Sequence, residues 1–243
     1  MPQGGGIVVG WWGRQTVSMG ISLDAELLER WAGLAGAGAI TMGEFVIRCY
    51  REPHRRYHTV EHLQAMLGVI DDLAGEAEDI DAVRYSAFFH DAVYAVERDD
   101  NEELSARLAE ESLGELGVAT ELIAEVGRLV RLTATHRVVD GDRNGAVLCD
   151  ADLAVLAADE AGYAAYTAAV RAEYGHVPDE LFRAGRAAVL QGLAQQPYLF
   201  RTHTARTRYE AAARTNLSRE LATLTAAGDS SGDALTQPAN RRC

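Results

Sequence analysis

Hydrophobic positions recur every three or four residues along almost the whole stretch from Ser22 to Leu224, the period of helices that bury one face. Leu23, Leu27, Trp31 and Leu34 fall on one stripe. Val60, Leu63, Leu67 and Ile70 make a second, in a helix expected to end near Gly75. Ile80, Val83, Ala87 and Asp91 continue the pattern, followed by Leu104 and Leu108 and then by Leu122, Val126, Leu129 and Val130. Pro178 reads as a first-turn proline that opens the helix of Leu181, Phe182, Val189 and Leu190, because its fixed φ suits a helix start.

Strand signals are nearly absent, since no alternating β-branched run is bounded by hairpin turns. The main break is "RVVDGDRNGAVLCDADL", an Asp/Gly/Asn-rich stretch read as a loop between helices. The expected fold is all-α, one compact bundle of roughly eight to ten helices. Residues 1–20 read as a disordered leader, 21–225 as the folded core and 226–243 as a polar, disordered tail. No apolar run approaches the roughly 18–20 residues that span a bilayer. The leader has only the short run "IVVGWWG" and no basic segment before it, so a cytoplasmic protein with no membrane partner is expected.

Charge narrows the chemistry. The formal net charge is −13, and all 23 basic residues are Arg. A nucleic-acid partner is disfavoured, because binding a phosphate backbone needs a basic face. P-loop and Schiff-base mechanisms are excluded, because both need a lysine. Any phosphate must be held by Arg, backbone amides or a metal. Cys49, Cys149 and Cys243 form no CxxC pair and are too few for a disulfide scaffold; the first two read as buried thiols.

Several histidines stand close to acids. His58 and His62 lie in "YHTVEH", His90 and Asp91 are adjacent in "SAFFHDAVY", His136 closes "LTATH", and Asp150 and Asp152 lie in "LCDADLAVL". Imidazoles and carboxylates of this kind suit Mn, Fe, Co, Ni or Zn, with Mg also admissible. Asp91, flanked by "AFF" and "AVY", needs a cationic partner, a metal or an Arg, if it is buried. His58 and His62, at i and i+4, share a helix face at about 6 Å.

The order H…HD…D on successive helices resembles the HD superfamily of metal-dependent phosphohydrolases. The blocks "YREPHRRYHTVEHL", "FFHDAVY", "DNEELSA", "TATH", "DADLAVL" and "AEYGHVPDELFRAGRAAVL" together resemble a bacterial group of predicted HD phosphohydrolases, over about Tyr50 to Asn216. The resemblance implies an HD-domain bundle and hydrolysis of a small phosphorylated substrate, a nucleotide first among them, by a metal-activated water. It implies His62, His90, Asp91 and one aspartate of "DADL" as ligands. An Ala-Asp-x-Leu pattern selects Asp152, with Asp150 the alternative. The first block also resembles cyclic-nucleotide phosphodiesterases, which makes His58 the proton donor to the leaving oxygen. Asp91 would bridge to a second ion and His136 would be its extra ligand, giving one or two ions. Glu102 would act as general base or as acceptor to a ligand imidazole. Arg55, Arg56, Arg137 and Arg186 would contact phosphate, although Arg186 can instead pair with Glu173.

Two rival readings use the same scaffold. A di-iron oxygenase is disfavoured because His136 alone lies between the HD pair and the last aspartate. A nucleotide-binding module without catalysis is disfavoured by the intact ligand set. His54, His176 and His203 carry no assigned role, and Tyr163, Tyr166 and Tyr174 are expected in the core and pocket wall. No heptad or large apolar stripe indicates an oligomeric state.

Overall fold

A computed structural model describes residues 22–232. Those residues form ten α-helices and no strand. The leader, the end of the tail and Cys243 lie outside the described residues. The helices are α1 (Leu23–Ala35), α2 (Ile40–Tyr50), α3 (Val60–Leu73), α4 (Ile80–Phe89) and α5 (Asn101–Glu115), then α6 (Thr120–Leu132), α7 (Arg143–Leu153), α8 (Glu160–Glu173), α9 (Asp179–Ala194) and α10 (His203–Gly232). Helix α10 runs on to Gly232, past residue 226 where the tail was expected to start. No helix among the described residues is long and apolar enough to cross a membrane.

The stripes fold as their spacing requires. Leu27 and Trp31 of α1, Leu63, Leu67 and Ile70 of α3, and Val126, Leu129 and Val130 of α6 are all buried in one core. Helix α9 departs from this: Leu190 is buried, but Leu181 and Val189 are exposed. Trp31 anchors the first half of the chain. Its ring meets Tyr85, Phe88 and Phe89 of α4 edge-on at centroid distances of 5.8, 5.1 and 5.9 Å, a favoured aromatic geometry. Its Nε1 donates to the Ala39 carbonyl at 2.8 Å. This cluster fixes the end of α4, and His90 and Asp91 come next.

Two sequence expectations change here. Asp91 lies past α4 rather than on it: His90 N still donates to Ser86 O at 2.8 Å, but Ala92 N already closes a tighter turn on Phe89 O at 3.0 Å. The turn is held by Ser105, whose Oγ bonds both Val93 N at 3.0 Å and Val93 O at 3.2 Å. "DADL" is not in a loop, because α7 already starts at Arg143. Asp142 caps it by accepting from Gly145 N at 2.9 Å, and Val147, Leu148 and Ala151 bury one face.

Helices α3, α4 and α7 pack against one another. The polar Asn144 ties them together: its Oδ1 accepts from Glu78 N at 2.9 Å and Asp79 N at 2.8 Å, just before α4, and its Nδ2 donates to Glu125 of α6 at 2.9 Å.

Gly43 of α2 faces the Trp31 ring, and a Cβ there would sit 2.5 Å from its Cδ1. Gly43→Ala is expected to displace the indole and cost about 1–3 kcal/mol. Its measure is a lower urea midpoint with an unchanged slope.

Candidate metal centre

The junction of α3, α4 and α7 brings together residues far apart in sequence. His62 sits in the first turn of α3, His90 caps the end of α4, and Asp152 lies in the last turn of α7. One ligand atom from each falls within 4.8 Å of the other two, a group that could hold a metal ion. The His62 and His90 Nε2 atoms are 3.3 Å apart, and Asp152 Oδ1 is 3.3 Å from His62 Nε2. Both imidazoles are almost fully buried.

Neighbouring groups set the imidazole tautomer. His90 Nδ1 lies 2.8 Å from the Ala87 carbonyl, which can only accept, so Nδ1 carries the proton and Nε2 presents its lone pair. Tyr50 Oη, 3.3 Å from the same Nδ1, also donates to Ala87 O and accepts from Asp91 N. The His62 Nε2 atom that faces it at 3.3 Å must then either carry a proton and donate, or share a cation with it, because two bare lone pairs at that distance would repel. In the metal-free protein a proton fills that role. Burial opposes the charged form of His90, yet the Asp91 charge and its hydrogen bond outweigh that and raise the pKa to about 9.

Asp91 borders the cluster, with Oδ2 2.9 Å from His90 Nε2 and 4.0 Å from His62 Nε2. Burial would raise its pKa, but the His90 and His58 charges hold it far below the usual carboxylate range. His136 Nε2 meets Asp152 Oδ2 at 2.8 Å, which brings it to the edge of the centre. Its backbone is left-handed, at φ 52°, costing a non-glycine residue about 1 kcal/mol. That strain falls where the 132–136 turn swings the imidazole towards Asp152.

His58 does not share a helix face with His62 as the i, i+4 spacing suggested: it lies in the loop before α3, ahead of the extended N-cap Thr59, with the two ring centroids 6.0 Å apart. Its partner is Glu173, at the end of α8: Nδ1 meets Oε2 at 2.7 Å. Glu173 Oε1 also accepts from the amides of Arg56, Tyr57 and His58 at 2.8, 2.8 and 2.9 Å, and Tyr94 Oη donates to Oε2 at 3.1 Å. Burial lowers the His58 pKa, but Asp91 and Glu173 raise it further, and the net direction is upward. Glu173 falls to about 2 despite burial, because the His58 and amide hydrogen bonds favour its charged form. Sequence reasoning offered Glu173 only as a partner for Arg186. The signal was its position: Tyr163, Val170 and Glu173 share the buried face of α8.

Other expected residues lie elsewhere or are already occupied. Asp150 is no ligand. Its two oxygens accept from Arg201 N and Thr202 N, each at 2.7 Å, and burial outweighs those bonds to raise its pKa to about 6. Successive helix positions point about 100° apart, so Asp150 faces the chain before α10 while Asp152 faces the cluster. Arg55 is not available to a phosphate: its five N–H groups go to Glu52, His58 O, Asp91 O and Ala92 O. Arg186 pairs with Glu220 at 2.8 and 3.1 Å, not with Glu173. Arg137 is exposed beside His136. Glu102, in the first turn of α5, makes no hydrogen bond or ion pair among the described residues; the acceptor for the His90 imidazole is Ala87 O. Arg56 is exposed and keeps Nε and Nη2 free, since only Nη1 bonds, to Pro53 O and Arg55 O.

The two aspartates of α7 should separate cleanly. Asp150→Ala strands two buried amides and is expected to cost about 2–4 kcal/mol in unfolding free energy while leaving metal stoichiometry intact. Asp152→Ala should instead bind little metal by elemental analysis, and its metal-free melting temperature should also fall, because it loses the carboxylate that His62 and His136 face.

The His58–Glu173 pair also has a pH signature. Glu173 is lowered from 4.5, so its contribution is complete above that value and fades as pH falls towards about 2. His58 is raised from 6.5, so its contribution is complete below that value and fades as pH rises through the shifted pKa. The stability lost in metal-free Glu173→Gln should therefore peak between pH 4.5 and 6.5, and NMR titration of the variant should show His58 deprotonating at lower pH.

No protein-family model matches the chain, and neither does any curated protein or solved structure.

Proposed function

We propose that this protein is a metal-dependent phosphohydrolase of the HD type, acting on a small phosphorylated metabolite, with nucleotides as the first choice of substrate. The observation that carries the reading is the His62–His90–Asp152 group with Asp91 against it and the His58–Glu173 pair alongside, its imidazole 6.0 Å from that of His62. A divalent transition ion held there would supply Lewis-acid chemistry, offsetting charge on phosphoryl oxygens and lowering the pKa of a water.

The chain's own groups account for the rest. Asp91 and Asp152 supply the negative charge that selects a cation over a neutral guest. Glu173 holds the His58 Nδ1 proton, so Nε2 is free to give a proton to the leaving oxygen. The same carboxylate pins the amides of residues 56–58, so the donor and the first turn of α3 are positioned as one unit. Arg56, with its free guanidinium edge, can pair with a phosphoryl oxygen.

Phosphate release from a nucleotide panel, with Mn, Co, Ni or Fe(II) supplied, tests the reading. Asp91→Ala should abolish turnover; equal rates in variant and wild type would overturn it. His58→Ala should lower kcat by about 10²–10⁴ with metal content retained. Loss of metal in that variant would make His58 a ligand rather than a donor.

A further inference from the structure

Beside the cluster lies a cavity of about 370 Å³, and His62 and Tyr57 belong to its wall. Its other side is α8, where Ala161, Ala165 and Ala169 follow one another at intervals of four and leave a flat face. Tyr166 closes the wall between them, edge-on to Tyr57 with ring centroids 4.8 Å apart. Arg186 lies over the Tyr166 ring at 5.0 Å and is itself fixed by Glu220. The aromatic wall is therefore set before anything binds. Rigid aromatic and small apolar surfaces with few polar groups suit an uncharged, flat organic group.

The charges around the cavity limit what can accompany that group. Arg56 is its one cationic lining residue among the described residues, and the carboxylates of Glu61 and Asp159 line it too. Arg55 has all its donors engaged elsewhere, Arg186 is paired with Glu220 and is not a lining residue of the cavity, and the chain has no Lys. A phosphomonoester carries up to about two negative charges, and the positive groups that can meet it are few: the ion at the cluster, already partly offset by Asp91 and Asp152, the His58 imidazole and the Arg56 guanidinium. A polyphosphate would place further anionic oxygens against Glu61 and Asp159, with no second Arg to meet them.

We propose that this cavity receives the uncharged organic part of a phosphomonoester, a nucleoside monophosphate by size and shape, and that the centre prefers monoesters to di- and triphosphates. The inference rests on the phosphohydrolase reading for its chemistry. In that reaction the bond from phosphorus to the organic oxygen breaks, and a bond from phosphorus to the water oxygen forms. His58 gives its proton to the departing oxygen and is reprotonated from the water, leaving an alcohol and inorganic phosphate.

Calorimetric titration of the metal-loaded protein tests the assignment without turnover. The probes are inorganic phosphate, a non-hydrolysable nucleoside monophosphonate and a non-hydrolysable nucleoside triphosphate analogue. The monophosphonate should bind about tenfold or more tighter than either of the others. Ala165→Leu fills the cavity at an exposed position. It should weaken the monophosphonate about tenfold or more and leave inorganic phosphate within about twofold. Equal or tighter binding of the triphosphate analogue, an unchanged monophosphonate affinity in Ala165→Leu, or no binding of the monophosphonate would each overturn the proposal. Turnover of the nucleotide panel separates the two readings. Selective binding with no hydrolysis of any phosphate sinks the phosphohydrolase and leaves the cavity assignment standing. Hydrolysis of triphosphates as fast as monophosphates does the opposite.

Discussion

Two buried imidazole nitrogens 3.3 Å apart are the constraint around which this structure is arranged. Such a pair needs a proton or a cation between its nitrogens, and where that adds positive charge to the interior, anions must lie beside it. Asp91 and Asp152 provide those anions, the first from the turn after α4 and the second from the last turn of α7. The arrangement is costly to hold in any single local structure, so it is spread over three packed helices. The Trp31 aromatic cluster and the Asn144 bridge keep those helices in register.

Buried carboxylates in this chain divide into two kinds. Asp91 and Asp152 face imidazoles, whereas Asp150 and Glu173 face backbone amides. Glu76 and Glu210 resemble the second kind: the first accepts from His203 N and Thr204 N at the start of α10, and the second from Leu199 N and Phe200 N. A carboxylate that accepts two or three amides can close a loop that has no regular partner. Glu173 belongs to both worlds, because it closes the 56–58 loop and orients His58 with the same group. Loop geometry and the orientation of the His58 imidazole are thus coupled through one side chain.

Helical period made most of the fold legible, because the stripes of α1, α3 and α6 bury one face and only that of α9 departs, and a face is a local property of the sequence. The tertiary meeting of His62, His90 and Asp152 is not local, and only the family-like order of blocks suggested it. What escaped was decided by direction rather than by residue type. Asp150 and Asp152 differ by two positions, and only the packing of α7 assigns one to the amides before α10 and the other to the cluster. The helical start of α7 at Arg143 was hidden by its Gly/Asp-rich content, although Asp142 and Gly145 form an ordinary cap. Arg55 looked like a phosphate ligand because nothing in the sequence shows that carbonyls of residues 58, 91 and 92 converge on it.

Arg55 is one case of a wider use of arginine. Arg143 donates to the carbonyls of Glu76 and Gly75, Arg171 to those of Tyr174 and Val177, Arg206 to those of Phe200 and Arg201, and Arg214 to those of Ala194, Gln196 and Pro197. A planar guanidinium reaches two or three carbonyls at once where a lysine ammonium, compact and strongly hydrated, would not. An all-helical chain has many helix ends, each leaving carbonyls without a partner, and here arginine meets several of them. The consequence reaches the site. Most of these cations are spent on loop carbonyls and on partners such as Glu220, in a chain of net charge −13. Arg56 and Arg137 differ: among the described residues Nε and Nη2 of the first are unengaged, and the second bonds only through its backbone amide, so the guanidinium groups left over lie beside His58 and His136.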